Sequence, residues 1–321
     1  MFHRPLAALL AVLVVFFAGC GGEDESSAPA PQQQTSSAVV ETLPADKFPV
    51  TVEADNGSVT IEEEPDAIVS LSATATESLF AIGAGDQVLA VDDQSNFPAE
   101  APVTDLSGFE PNVEAIAGYE PDLVIAAYDP GGLVEGLERL DIPVLLQDAA
   151  PDLGAAYEQI GTLGVATGNI EGAESLATSM QVEIDQLVAS VTGAQGATVY
   201  HELGPDFFSA TSETFIGSVY ELFGLVNIAD AAEGAADAGG YPQLTGEYIV
   251  SESPAVIVLA DTKCCEQTAE TVSKRPGWGQ IEAVVNGNIV EANDDIASRW
   301  GPRTVEFVEL IAESLEGIGG R

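Results

Sequence analysis

Five aromatic residues stand beside proline, glycine or a strand end rather than inside apolar runs. They are Phe97 in Asn96-Phe97-Pro98, Tyr128 just past the run at 123–126, Phe207 and Phe208 after Gly204-Pro205, and Tyr241 before Pro242. Core aromatics sit within helices and strands, whereas rings on loops that leave strand ends point toward the mouth of a cleft. Such rings offer flat apolar faces to a bulky ligand, and the tyrosines add hydroxyls that orient it. A polar group follows near the end of the chain, where Asp295 and Arg299 lie four apart and Trp300 precedes Gly301-Pro302. That spacing also suits a plain surface ion pair. Arginine is scarce in this chain, however, and one beside Trp300 is expected to have a fixed task, fork-like hydrogen bonding to oxygens of a ligand.

Bond-making chemistry has little to work with. The chain has two histidines, His3 and His201, and neither a Gly-x-Ser-x-Gly elbow, a Gly-x-Gly-x-x-Gly turn nor a phosphate loop. No nucleophile stands with a histidine base, so no catalytic residue is assigned. Two histidines are too few for a zinc or manganese site, and neither metal nor cofactor is expected. His201 is taken as a satisfied strand residue. Cys264 and Cys265 are adjacent, and three states are open to them: a vicinal disulfide stiffening a cleft loop, two free thiols, or a soft-metal contact. An oxidising compartment favours the disulfide.

The elements that must position these residues begin with an address. A basic start (His3, Arg4), an apolar run over 6–17 and then Ala18-Gly19-Cys20 have the layout of a secretory signal covering 1–19. The run is shorter than the roughly 20 apolar residues that a bilayer crossing needs. Phe17-Ala18-Gly19-Cys20 resembles a bacterial lipobox, which implies cleavage before Cys20 and acylation of its thiol. The protein is then extracytoplasmic and lipid-anchored to the cell membrane. Residues 20–45, rich in Ser, Ala, Pro, Gln and acid, form a disordered tether.

Order starts with a hairpin over 50–61 around Asp55-Asn56-Gly57. Short apolar runs at 68–71, 88–91, 123–126 and 144–146 alternate with helical stretches, the pattern of a sheet with parallel crossovers. Residues 169–191 carry Ala173, Leu176, Ala177, Met180, Ile184, Leu187 and Val188 at helical spacing, which predicts one long helix. The pattern then restarts with strands at 197–200 and 256–259 and helices at 214–223 and 304–315. The fold class is α/β: an N-terminal lobe over 46–168, a single long linking helix over 169–192 and a C-terminal lobe over 193–321. The ligand cleft is expected between the lobes.

Nine Lys and Arg against 52 Asp and Glu give a net charge of −43. Such a surface repels phosphate, which excludes nucleic acid as a partner and leaves the lipid as the only membrane contact.

The chain resembles the iron-chelate and cobalamin class of periplasmic binding proteins, with its closest likeness to cobalamin-binding members. The segments that carry the resemblance are Leu71-Ser72-Ala73-Thr74-Ala75-Thr76-Glu77 with Ile82-Gly83-Ala84-Gly85, Pro111-Asn112-Val113-Glu114-Ala115-Ile116 leading to Pro121-Asp122-Leu123-Val124-Ile125, and Thr214-Phe215-Ile216-Gly217. Tyr241-Pro242-Gln243-Leu244 with Glu247, Arg275-Pro276-Gly277-Trp278 and Arg299-Trp300-Gly301-Pro302-Arg303 continue it. The resemblance implies two α/β lobes on a helical backbone. It also implies a metal-chelate ligand, a corrinoid or ferric siderophore, delivered to an ABC importer made of a permease dimer and its ATPase. It places Phe97, Tyr128, Phe208 and Tyr241 at or near ligand-facing aromatic positions, directs Asp295 and Arg299 at the ligand, and makes Glu114 and Glu247 the rim acids that meet permease arginines. Glu202 departs from the pattern, since an aromatic residue occupies the matching place. A siderophore-modifying enzyme and a free metal-ion receptor are the alternative functions on the same fold.

Overall fold

The computed structural model describes residues 48–316 and 318; the expected signal over 1–19, Cys20 and the expected tether over 20–45 lie outside the described residues. Strands β1 (Val50–Ala54) and β2 (Gly57–Ile61) pair antiparallel across Asp55-Asn56, with Val50 opposite Ile61. Gly57, at φ +101°, supplies the left-handed conformation this turn needs.

Four strands follow, all parallel: β3 (Ile68–Leu71), β4 (Val88–Val91), β5 (Leu123–Ala126) and β6 (Val144–Leu146), in the order β4-β3-β5-β6. Every residue of β3, β5 and β6 is buried, as befits continuous apolar runs covered on both faces. The β1-β2 turn docks beside β6. Asn56 Nδ2 donates to Val144 O (2.9 Å), the Leu146 N–H donates to Asn56 Oδ1 (3.1 Å), and the Asp55 N–H donates to Leu146 O (3.0 Å).

The second lobe repeats this arrangement. Strands β7 (Thr198–Glu202), β8 (Val226–Asn227), β9 (Val256–Leu259) and β10 (Ile289–Glu291) are parallel in the order β10-β9-β7-β8. In each lobe the second strand lies on one side of the first, and the third and fourth lie on the other. The winding therefore reverses at β3 and again at β7, and open parallel sheets bind ligands beyond the strand ends at such reversals.

The linking helix, Ile170–Ser190, divides its apolar stripe between the lobes. Ala173 and Met180 are buried in the first-lobe core with Ile68, Leu79 and Leu123, whereas Ile184 is buried in the second-lobe core with Val199, Tyr220 and Phe307. At 21 residues it spans about 30 Å. A second helix, Leu153–Ala166, shares the junction: Ala156 joins the second-lobe core, and Ile160, Leu163 and Ala166 join the first.

Gly172 marks the closest approach at this junction, since a Cβ there would lie 2.0 Å from Ile82 O. Replacing a helical glycine by alanine gains up to about 1 kcal/mol of helix propensity, but forcing backbone apart costs about 1–3 kcal/mol. The clash is with a main-chain oxygen that cannot rotate away, so it wins. Gly172→Ala is expected to lower the urea unfolding midpoint, and an unchanged or raised midpoint would mean that the helix slides freely on the first lobe.

Candidate ligand-binding cleft

The C-terminal ends of β3, β4 and β5 meet the segment after β10 around a cavity of about 310 Å³. From the first lobe it is lined by Leu71-Ser72-Ala73-Thr74, Asp92, Gln94, Gly108-Phe109 and Ala127-Tyr128, and from the second by Asp294, Asp295, Ser298, Arg299 and Trp300. Ser72 starts the helix Ala73–Ala81 by accepting from the Ala75 N–H (3.2 Å). Asp92 is buried. Ser95 Oγ donates to its Oδ1 at 2.6 Å, and burial nevertheless pushes its carboxyl above the usual range. Gly108 is required where the loop crosses these strand ends, because a Cβ would lie 2.7 Å from Leu71 O and 2.8 Å from Asp92 Oδ2.

That crossing carries Phe109, which stacks on Tyr128 with centroids 5.5 Å apart and planes at 27°. Phe109 is not among the residues expected from the sequence, although Gly108-Phe109-Glu110-Pro111 has the same aromatic-beside-breaker signature as Phe97 and Tyr241. Tyr241 comes from the second lobe. Burial raises its hydroxyl pKa, with a smaller contribution from Tyr128. Phe97, Phe208, Tyr128 and Tyr241 are 42–45% exposed, half-open rings with room for a partner. Phe97 lies under the Arg303 guanidinium, 4.4 Å from its ring centroid.

Phe207 is placed elsewhere. Its backbone takes φ +66°, and its ring stacks on Trp278 at 5.8 Å with the Arg275 guanidinium 5.3 Å from its centroid. This turn of the chain packs Phe207 against the second-lobe core, away from the rings at the cleft, while its neighbour Phe208 stays open.

Arg299 also has another occupation. Its Nη1 donates to Glu77 Oε1 (2.7 Å) and Asn96 Oδ1 (3.2 Å), and its Nη2 to Gln94 O (2.9 Å) and Asp295 Oδ1 (2.9 Å). Glu77, buried on the first-lobe helix, is further held by Arg303 Nε on Oε2 (2.9 Å) and Arg303 Nη2 on Oε1 (2.6 Å). Asp295 accepts from Lys263 Nζ (2.7 Å) and Asn96 Nδ2 (3.0 Å), and Trp300 Nε1 reaches Gln159 Oε1 (2.8 Å). Burial opposes ionisation of Asp295, but the bonds from Lys263, Arg299 and Asn96 outweigh it and hold the carboxyl below the usual value. The four Nη protons of Arg299 are thus engaged in tying the lobes together at the wall of the cavity that it lines.

Glu202 does not face a ligand either. It is fully buried at the end of β7, clasped by Arg275 through Nη1 and Nη2 at 2.6 Å each, and accepts from Tyr200 Oη (3.1 Å). Asp261 lies beside it at the end of β9, where burial and then the Glu202 carboxylate push its carboxyl up to about 7. His201 is buried and neutral, its pKa lowered to about 3 by burial. Its Nδ1 lies 2.6 Å from Tyr220 Oη, but its Nε2 has no partner, so the strand histidine is only half satisfied.

Cys264 and Cys265 are joined in a disulfide within the short helix Thr262–Cys265. Asp294 fastens that helix to the cavity wall by accepting from the Lys263 and Cys264 N–H groups at 2.8 Å each. Glu114 and Glu247 are both exposed. Each is the second residue of a short helix, Val113–Ala117 capped by Asn112 and Gly246–Glu252 capped by Thr245, and each helix precedes the third strand of its lobe. Among the described residues no helix is long and apolar enough to cross a membrane, and no group of three or more His, Cys, Asp or Glu is arranged to hold a metal ion.

Residues 68–296 match the periplasmic binding protein family. The chain belongs to this family. Among relatives of this periplasmic binding protein, an uncharacterised ABC transporter substrate-binding lipoprotein of Bacillus subtilis is 31% identical over 96% of this chain and 95% of its own. A cobalamin-binding protein of Halobacterium salinarum is 30% identical, covering 84% of this chain and 74% of its own. Among solved structures, the periplasmic vitamin B12 binding protein of Vibrio cholerae is 25% identical with a TM-score of 0.68, covering 80% of this chain and 99% of that one.

In this binding protein Glu77 is the one carboxylate shared by both lobe-tying arginines. Removing one partner of a buried ion pair costs about 3–5 kcal/mol. Glu77→Gln is expected to reduce the unfolding free energy by about that amount, and to speed amide hydrogen exchange in the helix Ala73–Ala81. A loss under about 1 kcal/mol would show that the lobes are held by the two junction helices alone.

Proposed function

We propose that this chain is the extracytoplasmic receptor of an ABC importer, a lipoprotein anchored through Cys20. It holds a metal-chelate nutrient, a corrinoid or ferric siderophore, between its lobes and hands it to a permease dimer driven by an ATPase. The observation that carries this reading is the cavity between strand ends of the first lobe and the segment after β10 of the second, walled by the Phe109–Tyr128 stack. The cavity's volume of about 310 Å³ is at the low end of ligand pockets, about 300–1,000 Å³. A bulky chelate therefore enters only in part and rests on the rings around the mouth: Tyr128 backed by Phe109, Tyr241, Phe97 and Phe208. The names of the Halobacterium and Vibrio relatives support a corrinoid as the first ligand to test.

Titration of the purified protein with cyanocobalamin and with ferric siderophores, followed by absorbance, should give saturable binding to one of them. Stacked aromatic contacts contribute roughly 0.5–1.5 kcal/mol beyond area burial, so Tyr128→Ala and Tyr241→Ala should each weaken binding several-fold with unchanged unfolding midpoints. Full affinity in both variants would move the ligand away from this cleft.

The rim acids supply the second half of the proposal. Two equivalent lobes presenting one exposed carboxylate each, Glu114 and Glu247, suit a two-fold receiver that offers one cation per subunit. Combining Glu114→Ala with Glu247→Ala should leave ligand affinity intact and abolish uptake or transporter-stimulated ATP hydrolysis. Normal uptake would dispose of the docking role.

A further inference from the structure

Among the described residues the cations are two lysines and four arginines, and each is already in an ion pair. Arg139 pairs with Glu135, Lys274 with Glu270, Lys263 with Asp295, Arg275 with Glu202, Arg299 with both Glu77 and Asp295, and Arg303 with Glu77. Of these six only Arg299 lines the cavity, and its four Nη protons are spent on Glu77, Asn96, Gln94 and Asp295. The acids of the wall are in the opposite condition. Asp92 is buried with a single side-chain donor, Ser95, and Asp294 is held by N–H and hydroxyl groups; neither is in an ion pair.

A ligand carboxylate or phenolate entering this cleft gives up its water, meets no free cation and is repelled by Asp92 and Asp294. An amide or hydroxyl group meets the reverse, carboxylate and tyrosine oxygens able to accept its protons. The half-open rings of Tyr128 and Tyr241 impose no charge of their own.

We infer that the cleft selects its chelate by charge, with Asp92 as a specificity-determining residue: it takes neutral or cationic chelates that present amide or hydroxyl groups, and rejects chelates bearing carboxylates or anionic catecholates. This rests on the receptor function proposed above.

Two pairs of probes of matched bulk test it: cyanocobalamin against its monocarboxylic acid, in which one side-chain amide is hydrolysed, and neutral ferrichrome against trianionic ferric enterobactin. The neutral member of the pair that binds should bind at least about tenfold tighter than its anionic counterpart in dilute buffer. The gap should narrow near 1 M salt, where the screening length is about 3 Å. Asp92→Asn, which keeps the shape beside Ser95, should narrow it several-fold in dilute buffer. An anionic probe that binds as tightly as its neutral counterpart overturns charge selection and leaves the receptor reading standing. A gap indifferent to salt and to Asp92→Asn also overturns it, since shape would then be the discriminator. Failure of every probe to bind overturns the receptor reading, and charge selection with it.

Discussion

Two guanidinium groups converge on one buried carboxylate, Glu77, and the disposition of the cleft follows from that meeting. Arg299 and Arg303 come from the far end of the chain, after the last strand of the second lobe, while Glu77 sits on the first helix of the first lobe. Asp295 extends the network by accepting from Arg299 on one oxygen and from Lys263 and Asn96 on the other. Burying such charges costs desolvation that their attraction only partly returns, so a network of this kind is weak as a source of stability. It is strong as a source of register, since each guanidinium fork fits its acceptors in one geometry. With the apolar stripes of Ile170–Ser190 and Leu153–Ala166 split between the two cores, the lobes have little freedom to swing. The cavity is therefore largely formed before any ligand arrives, which lowers the ordering cost of binding.

The walls of that cavity divide the work between apolar rings and carboxylates. Phe109 braces Tyr128 from behind, so the ring meets a ligand without first losing much freedom. Gly108 makes this possible by letting the loop lie on Leu71 O and Asp92. The cations, few as they are, hold protein to protein.

The architecture was legible where the physics is local. Continuous apolar runs marked β3 through β6 and β9, Asp55-Asn56-Gly57 marked the hairpin, and the spacing from Ala173 to Val188 marked the long helix. Strands β8 and β10, two and three residues long, were not anticipated, because so few residues carry no periodicity. The site was harder. Nothing near Glu77 in the chain announces partners 222 and 226 residues away. Phe207 and Phe208 look alike in sequence and part company only because one backbone angle turns the first ring inward. Phe109 could have been found by the rule that found Phe97. Glu202 was conspicuous as a misfit, but its clasp by Arg275 and its neighbour Asp261 emerge only when β7 and β9 lie side by side.

The docking of the β1-β2 turn on β6 bears on how such receptors coexist. β6 ends its sheet, and an exposed sheet edge is a template on which a second chain can lay a strand. Here Asn56 and Asp55 take up the Val144 and Leu146 groups that a foreign strand would need. On the proposed lipid anchor the molecules share a two-dimensional surface, where encounters between neighbours are frequent. An amide side chain at a hairpin tip is then a guard against aggregation, occupying that edge so that crowding does not become fibril growth.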